Sequence, residues 1–224
     1  MTIKPRGRAI KKQVEQILGS PNRKDALESL ARIPDAQLTA PLFAHLYHSQ
    51  ELIKFRSATA MGQLAARISQ RRREDARIIL RRIMWNLNDE SGGIGWGSPE
   101  AMGDILACSK ELAREFGSIL FSYLDTGGNF IEHEILQRGV IWGIGTYLKA
   151  APETITPLVR EQLVQYLGSP DVTKRAYSLR ALQNAQHQDY AVLPQDSLTA
   201  RNPVVSIYMG WDWKTLPLSR LVCP

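Results

Sequence analysis

The feature that most constrains the fold is a short corner sequence that recurs along the chain. The tripeptide Gly-Ser-Pro occurs at residues 19–21, 97–99 and 168–170. Glycine suits a helix C-terminus, serine can cap the following helix, and proline fits the first turn of that helix. Around these corners apolar residues recur at three- and four-residue steps, as at Leu38, Leu42 and Leu46. The sequence therefore predicts an all-α protein of about ten helices.

The segments around the corners can be superposed in one register. One large apolar residue marks each segment, with separations of 31, 41, 40 and 37 residues, at Leu30, Met61, Met102, Trp142 and Leu179. Glycine follows three of these register residues, at Gly62, Gly103 and Gly143, as close helix packing requires. A period of about 40 residues built from helix pairs indicates an α-α superhelix of about five pairs.

At this point the chain resembles HEAT-repeat proteins, in particular the short-repeat kind known from phycobilisome-lyase-like (PBS lyase-like) HEAT proteins. The resemblance covers residues 10–187 and is carried best by LYHSQELIKFRSATAMGQLA, residues 46–65, and YLGSPDVTKRAYSLRAL, residues 166–182. It implies a HEAT-like α-solenoid. An irregular helical bundle is the alternative architecture for the same helical pattern.

The chain divides into two parts. Residues 1–187 are predicted to form the solenoid together with a basic N-terminal arm, and residues 188–224 an irregular C-terminal extension. The extension contains several prolines, a β-favouring run at residues 204–208 and the aromatic pair Trp211 and Trp213. We expect the extension to pack on the last repeat with its aromatic residues as anchors.

Charge is spread unevenly. Residues 1–24 hold seven basic groups and one acid, which equals the whole net charge of +6. Residues 67–82 carry seven arginines and two acids, whereas residues 83–134 carry nine acids and two bases. No stretch is apolar and long enough for a membrane span or a signal peptide. The two cysteines do not suggest a disulfide, so the expected compartment is the cytoplasm.

The largest departure from the repeat lies between Trp85 and Leu106. The register residue Met102 comes only three positions after Pro99, whereas Leu30 and Leu179 come nine positions after proline. The start of the second helix is replaced by a glycine-rich loop at residues 91–97. The loop is preceded by acids, with no lysine after it, so it is not a phosphate cradle. It is either a tight structural corner or a loop that presents Glu90 and backbone amides to a ligand.

The third and fourth repeats are predicted to form an acidic, aromatic groove that binds a protein partner or a ligand carried by one. Such a groove suits a cationic group or a basic peptide. Within it, Glu134 and Arg138 are four residues apart and can pair on a helix. The candidate binding residues are Trp85, Asn88, Glu90, Trp96, Glu100, His133, Glu134, Arg138 and Trp142.

No metal or cofactor is expected. The His133-Glu134 pair resembles the His-Glu pairs of deoxyhypusine hydroxylase, a HEAT-like di-iron enzyme, but that family needs four pairs and this chain has one. A mononuclear site at His133 has no diagnostic spacing. His45 and His48 are interpreted as partly exposed polar residues. No nucleophile signature is present, so no catalytic residue is assigned.

Two alternatives to a non-catalytic scaffold remain. The first is a nucleic-acid-binding HEAT protein, similar to DNA glycosylases of the AlkD type, in which a basic belt tracks phosphates. The second is a lyase or a chromophore-handling protein, because phycobilisome lyases resemble this architecture. The belt arginines of the first alternative are Arg71, Arg72, Arg73, Arg77 and Arg81.

Overall fold

The computed structural model of the chain describes residues 7–88, 95–186 and 203–222. Within these ranges the chain is helical up to a short hairpin near its end. The helices are α1 (Gly7–Gly19), α2 (Arg23–Ala31), α3 (Asp35–Leu46), α4 (Glu51–Ser69), α5 (Arg73–Asn88), α6 (Ser98–Cys108), α7 (Lys110–Ser122), α8 (Glu134–Ala150), α9 (Pro157–Tyr166) and α10 (Val172–Asn184). A 3₁₀ turn, Pro152–Thr154, separates α8 from α9. None of the described helices is long and apolar enough to cross a bilayer.

The helices form two layers, which makes the fold an all-α superhelix. Helices α2, α4, α6, α8 and α10 are the inner layer, in which α4 packs on α6, α6 on α8 and α8 on α10. The preceding helix of each pair belongs to the outer layer. Every inner helix carries one predicted register residue, and all of them are buried: Leu30, Met61, Met102, Trp142 and Leu179. The predicted register and the five helix pairs are confirmed.

Small residues let the inner helices approach closely. A Cβ atom on Gly103 would lie 2.3 Å from the Cα atom of Gly143, and one on Gly143 would lie 2.4 Å from the carbonyl oxygen of Pro99. At Gly62 a Cβ atom would lie 2.7 Å from the carbonyl oxygen of Asp104. Because these neighbours are backbone atoms, the helices could accept a side chain only by moving apart.

The corners are tight, but serine does not cap the helices. At the first and last corners the capping residue stands one position beyond proline. Asn22 accepts hydrogen bonds from the amides of Lys24 and Asp25, and Asp171 accepts from those of Thr173 and Lys174. Both caps have extended backbone angles, from which a short oxygen-bearing side chain reaches two free amides. In the middle corner Gly97 has a φ of 71° and Pro99 lies in the first turn of α6.

The basic N-terminal arm is mostly a helix. Residues 7–19 form α1, which buries Ile10, Val14 and Leu18 against the core. The basic residues Arg8, Lys11 and Lys12 lie on its exposed side. Residues 1–6 lie outside the described part of the chain.

The C-terminal extension is more regular than predicted. Strands β1 (Val204–Met209) and β2 (Asp212–Pro217) pair antiparallel, and a short helix α11 (Ser219–Val222) follows. Gly210, with a φ of 75°, allows the tight connection. Side chains alternate between the two faces of β1, which buries Val205 and Ile207. The β-favouring run therefore forms a regular strand, where the sequence predicted an irregular segment.

The hairpin covers the inner layer well beyond the last helix pair. At its tip the Nε1 atom of Trp211 donates to the carbonyl oxygen of Ser20, at 2.8 Å. The buried Arg56 on α4 donates to the carbonyl oxygens of Trp211 and Leu18. The hairpin therefore forms hydrogen bonds to the first corner and to α4, and it also packs against α10.

Candidate functional site

Among the residues that the structure describes, the members of the predicted groove lie on separate surfaces or in the core. Trp85 and Asn88 are exposed on the outer helix α5, and Trp85 is 73% exposed. Glu90 and residues 91–94 of the glycine-rich loop lie outside the described residues. Trp96 is half-buried and contacts the ring of the exposed His133 edge-on, with ring centres 5.7 Å apart.

The two predicted groove acids that the structure describes, Glu100 and Glu134, both lie near lysines. Glu134 pairs with Lys174 on α10 at 2.5 Å, and Arg138 pairs with Asp171 at 2.7 Å. The predicted pairing of Glu134 with Arg138 is replaced by these two bridges, because α10 packs beside α8 and brings partners of opposite charge to both.

Glu100 is buried, unlike a residue that lines an open groove. It lies 3.9 Å from Lys54, which is also buried and pairs with Glu51 at 2.7 Å. Burial raises the pKa of Glu100 and the charge of Lys54 opposes this shift. The pair belongs to the packing between α4 and α6.

Trp142 is the groove residue that marks the centre of the inner layer. It is 4% exposed, and its ring centre lies 5.2 Å from that of Phe55 and 5.9 Å from that of Tyr208 on the hairpin. Trp142 therefore belongs to an aromatic cluster with Phe55 and Tyr208, which the C-terminal hairpin covers, and Trp85 and Trp96 are not part of it.

A cleft remains beside this aromatic cluster, between the hairpin and the inner helices. Its volume is about 390 Å³. We call it the hairpin cleft. Its lining comes from α2, α4, α6, α8, α10, β1 and α11, and includes Arg23, Thr59, Asp104, Trp142, Thr146, Lys149, Arg180, Gln183, Asn184 and Tyr208.

Arg180 is the central cation of the hairpin cleft. Its guanidinium carbon lies 3.7 Å from the centre of the Trp142 ring. Its Nη1 donates to the carbonyl oxygen of Trp142 at 3.2 Å, and its Nη2 donates to the hydroxyl of Thr146 at 3.0 Å. Burial lowers the pKa of Arg180 to about 10, against the raising effect of Asp104. The group stays charged at neutral pH and is held in a fixed orientation.

Asp104 faces this cation without touching it. Burial raises the pKa of Asp104 to about 7, although the positive charges of Arg180 and Arg23 oppose the shift. No ion pair within 4.0 Å joins Asp104 and Arg180, two residues that the structure describes. Charged groups with perturbed pKa values that line one cleft are typical of ligand-binding sites.

Two buried polar atoms of the lining have no hydrogen-bond partner. They are the Nε1 atom of Trp142 and the hydroxyl of Tyr208, which lies near Thr59 without forming a bond of acceptable geometry. Buried polar atoms in folded proteins are nearly always paired. Unpaired atoms around a cleft are therefore expected where a ligand supplies partners.

The sequence contained a signal for Arg180 that the repeat comparison did not use. The residue after the register residue is glycine at Gly62, Gly103 and Gly143, but arginine at position 180. This one large side chain in a glycine position folds over the ring of Trp142. The sequence at Asp104 and Tyr208 gives no comparable indication. These two residues line the hairpin cleft because of the way α6 and β1 pack in the tertiary structure.

The basic belt is an ion-pair network. Arg73 and Arg77 on α5 pair with Glu111 and Glu115 on α7, at 2.7 and 2.8 Å. The other belt arginines also have carboxylates within 4.0 Å: Arg71 has Asp35, Arg72 has Asp75 and Arg81 has Glu74. A phosphate backbone would have to compete with these carboxylates.

Cys108 is the cysteine that the structure describes, and its thiol has a raised pKa. Burial raises the pKa of Cys108 to about 11, and the negative charge of Asp104 adds to the shift. The thiol is therefore protonated at neutral pH and is a weak nucleophile.

Comparison with known proteins places the chain in a family without assigning a function. No family model matches the sequence. The chain is 30% identical over 145 residues to an uncharacterized protein of Archaeoglobus fulgidus, covering 63% of this chain and 70% of that protein. The chain belongs to the same family as this archaeal protein.

Among solved structures, an engineered protein matches with a TM-score of 0.45 and 17% sequence identity. The match covers 79% of this chain and 78% of the engineered chain. A likeness at this level carries no argument about function.

Proposed function

We propose that the protein is a non-catalytic binding protein of the HEAT-repeat type, which holds a carboxylate or phosphate group in the hairpin cleft. The group belongs to a small ligand or to a side chain of a partner protein. The observation that carries the proposal is the position of Arg180, stacked on Trp142 and held by two hydrogen bonds at the wall of a 390 Å³ cleft.

The charges of the cleft favour an anionic group. Arg23, Lys149 and Arg180 line it against a single acid, Asp104. A guanidinium offers five donors, and two of its nitrogens here are held by protein acceptors, so its remaining donors point in fixed directions. Arg23 and Lys149 are exposed and add positive charge that attracts an anion.

This proposal keeps the predicted scaffold function, but it places the binding site in the hairpin cleft and expects an anionic ligand instead of a cationic one. The predicted groove was acidic and suited a cation, whereas its described acids are paired with Lys174 or buried beside Lys54. The Trp96 and His133 contact stays at the surface and offers a neighbouring area for a protein partner. We further propose that the protein acts in the cytoplasm.

Titration of small anions tests the proposal. Inorganic phosphate, succinate and a nucleoside monophosphate would be titrated by calorimetry into the wild type and into Lys149→Glu. Because Lys149 is exposed, the variant should fold normally. Affinity for the best ligand should fall about tenfold or more when one cation is reversed.

Lys110→Glu provides the matched control, since Lys110 is equally exposed but lies on α7, outside the cleft lining. It should bind like the wild type. Equal affinity of the wild type and Lys149→Glu for every ligand that binds would contradict the assignment of the cleft.

A further inference from the structure

A second cluster of polar side chains lies between α1 and the end of α3. Glu15, His45 and His48 each offer one ligand-type atom, and these three atoms lie within 4.8 Å of one another. The histidines had been interpreted as partly exposed polar residues, but His45 is completely buried. Glu15, on a different helix, completes the cluster, and its sequence position gives no sign of this.

The hydrogen bonds of His45 leave one nitrogen free. Its Nε2 atom lies 3.1 Å from the carbonyl oxygen of Lys11. A carbonyl oxygen can only accept, so Nε2 carries the proton and Nδ1 has a free lone pair. Nδ1 is buried and has no hydrogen-bond partner. A backbone carbonyl that fixes the far nitrogen of a histidine is the usual support of a metal-binding imidazole.

His48 and Glu15 supply the more exposed side of the cluster. The Nε2 atom of His48 lies 3.5 Å from Oε1 of Glu15, and its Nδ1 atom accepts a hydrogen bond from the amide of Gln50 at 3.0 Å. In the metal-free protein the proton of His48 is therefore on Nε2. A metal at Nε2 requires that proton to move to Nδ1, which breaks the bond from Gln50.

We propose that Glu15, His45 and His48 bind one divalent transition-metal ion, with Zn²⁺ as the best match. Two imidazole nitrogens and one carboxylate suit Zn²⁺ and Co²⁺, whereas Mg²⁺ and Ca²⁺ prefer oxygen ligands alone. A fourth position remains for water or a ligand atom. A surface cleft of about 520 Å³, lined by Glu15 and Gln50, adjoins the cluster.

The surroundings weaken the site. Arg8, Lys11 and Lys12 line the same cleft and repel a cation. The loss of the hydrogen bond from Gln50 lowers the affinity further. The site therefore has a lower affinity than a closed structural zinc site of four cysteine or histidine ligands.

Titration of chelator-treated protein with ZnCl₂, followed by calorimetry, tests the site. The wild type should bind one ion per chain. Glu15→Gln and His48→Gln, both on the accessible side, should each weaken binding about tenfold or more. His133→Gln, an exposed histidine on a different part of the surface, should leave it unchanged.

The absence of one-to-one binding by the wild type would overturn the proposal, as would unchanged binding in both ligand variants. Gln50→Pro gives a test in the opposite direction, since Gln50 has a φ of −85° and proline removes the competing amide. Zinc binding should become tighter in a variant that keeps its helical circular dichroism. Unchanged or weaker binding would exclude His48 Nε2 as a ligand and overturn the site.

Discussion

Two regions of this protein are rich in arginine or lysine, and they differ in what surrounds the charges. In the basic belt, which runs from Arg71 into α5, each of the five arginines lies near a carboxylate in a largely solvated setting, as Arg77 does beside Glu115. In the hairpin cleft, Arg180 is desolvated, stacked on Trp142 and separated from Asp104 by more than an ion-pair distance. The belt holds more positive charge, yet the cleft holds the charge that is available to a ligand.

The difference shows why a count of basic residues is a weak guide to a binding site. A solvated ion pair contributes little to the free energy of folding. Its charges are already compensated by each other and by water, so they attract a further partner only weakly. A buried charge with incomplete compensation interacts strongly with whatever group enters beside it. Function is therefore better sought where desolvation and incomplete pairing coincide.

The largest expected effect comes from the close packing that supports the cleft. Gly103→Ala places a Cβ atom 2.3 Å from the backbone of Gly143, so α6 and α8 must separate. We expect a loss of about 2–4 kcal/mol in the free energy of unfolding, measured by urea denaturation. In the outer layer, Gly19→Ala is the control, because a Cβ atom there meets nothing within 4 Å. Equal effects of the two changes would contradict the layered packing.

The next effect compares the two kinds of arginine directly. Arg180→Ala removes the stacking on Trp142 and two hydrogen bonds, and it leaves Asp104 without its main counter-charge. Its expected cost in unfolding free energy is about 1–3 kcal/mol. Arg77→Ala should cost much less, since Arg77 belongs to a solvated network. Urea denaturation of both variants under one set of conditions measures the two costs. Similar losses in unfolding free energy would contradict the proposed difference between the hairpin cleft and the basic belt.

A smaller effect should depend on pH. The pKa of Asp104 is about 7 in the folded protein, above the usual value of 3.8. Folding therefore takes up a proton between these values, and the associated stability is complete below 3.8 and lost as the pH rises through 7. Asp104→Asn stays neutral, so it should be more stable than the wild type above pH 7, by about 1–2 kcal/mol.

This advantage should disappear as the pH falls toward 4. Urea denaturation across this range would measure it. Asp212→Asn, at an exposed site on β2, is the control and should show no such gain. A constant difference between Asp104→Asn and the wild type at every pH would contradict the desolvation of Asp104.

The smallest effect concerns the belt. Combining Glu111→Gln with Glu115→Gln removes the α7 partners of Arg73 and Arg77. The variant should retard DNA weakly in mobility-shift gels at low salt, and the shift should vanish at high salt. The wild type should not retard it. Strong, salt-sensitive binding by the wild type would instead favour the nucleic-acid alternative.

The sequence predicted the architecture closely because its signals are local. The register residues Met61, Met102 and Trp142 each lie buried on an inner helix, and the glycines after them stand where helices nearly touch. The candidate site was harder to predict. Trp142 is among the candidate binding residues, whereas Arg180 lies within the repeat sequence of residues 166–182 and Tyr208 within the β-favouring run of residues 204–208.

The sequence by itself determined the helix pairs, their register and the close packing of the inner layer, since periodicity, corners and small residues act over short stretches of chain. The tertiary structure alone decided which charges are paired and which are desolvated. Asp104, Arg180 and Tyr208 come from distant segments, and they line one cleft because α6, α8 and α10 pack side by side and β1 lies against α10. Electrostatic energy depends on distance and burial, and neither can be obtained from the order of residues.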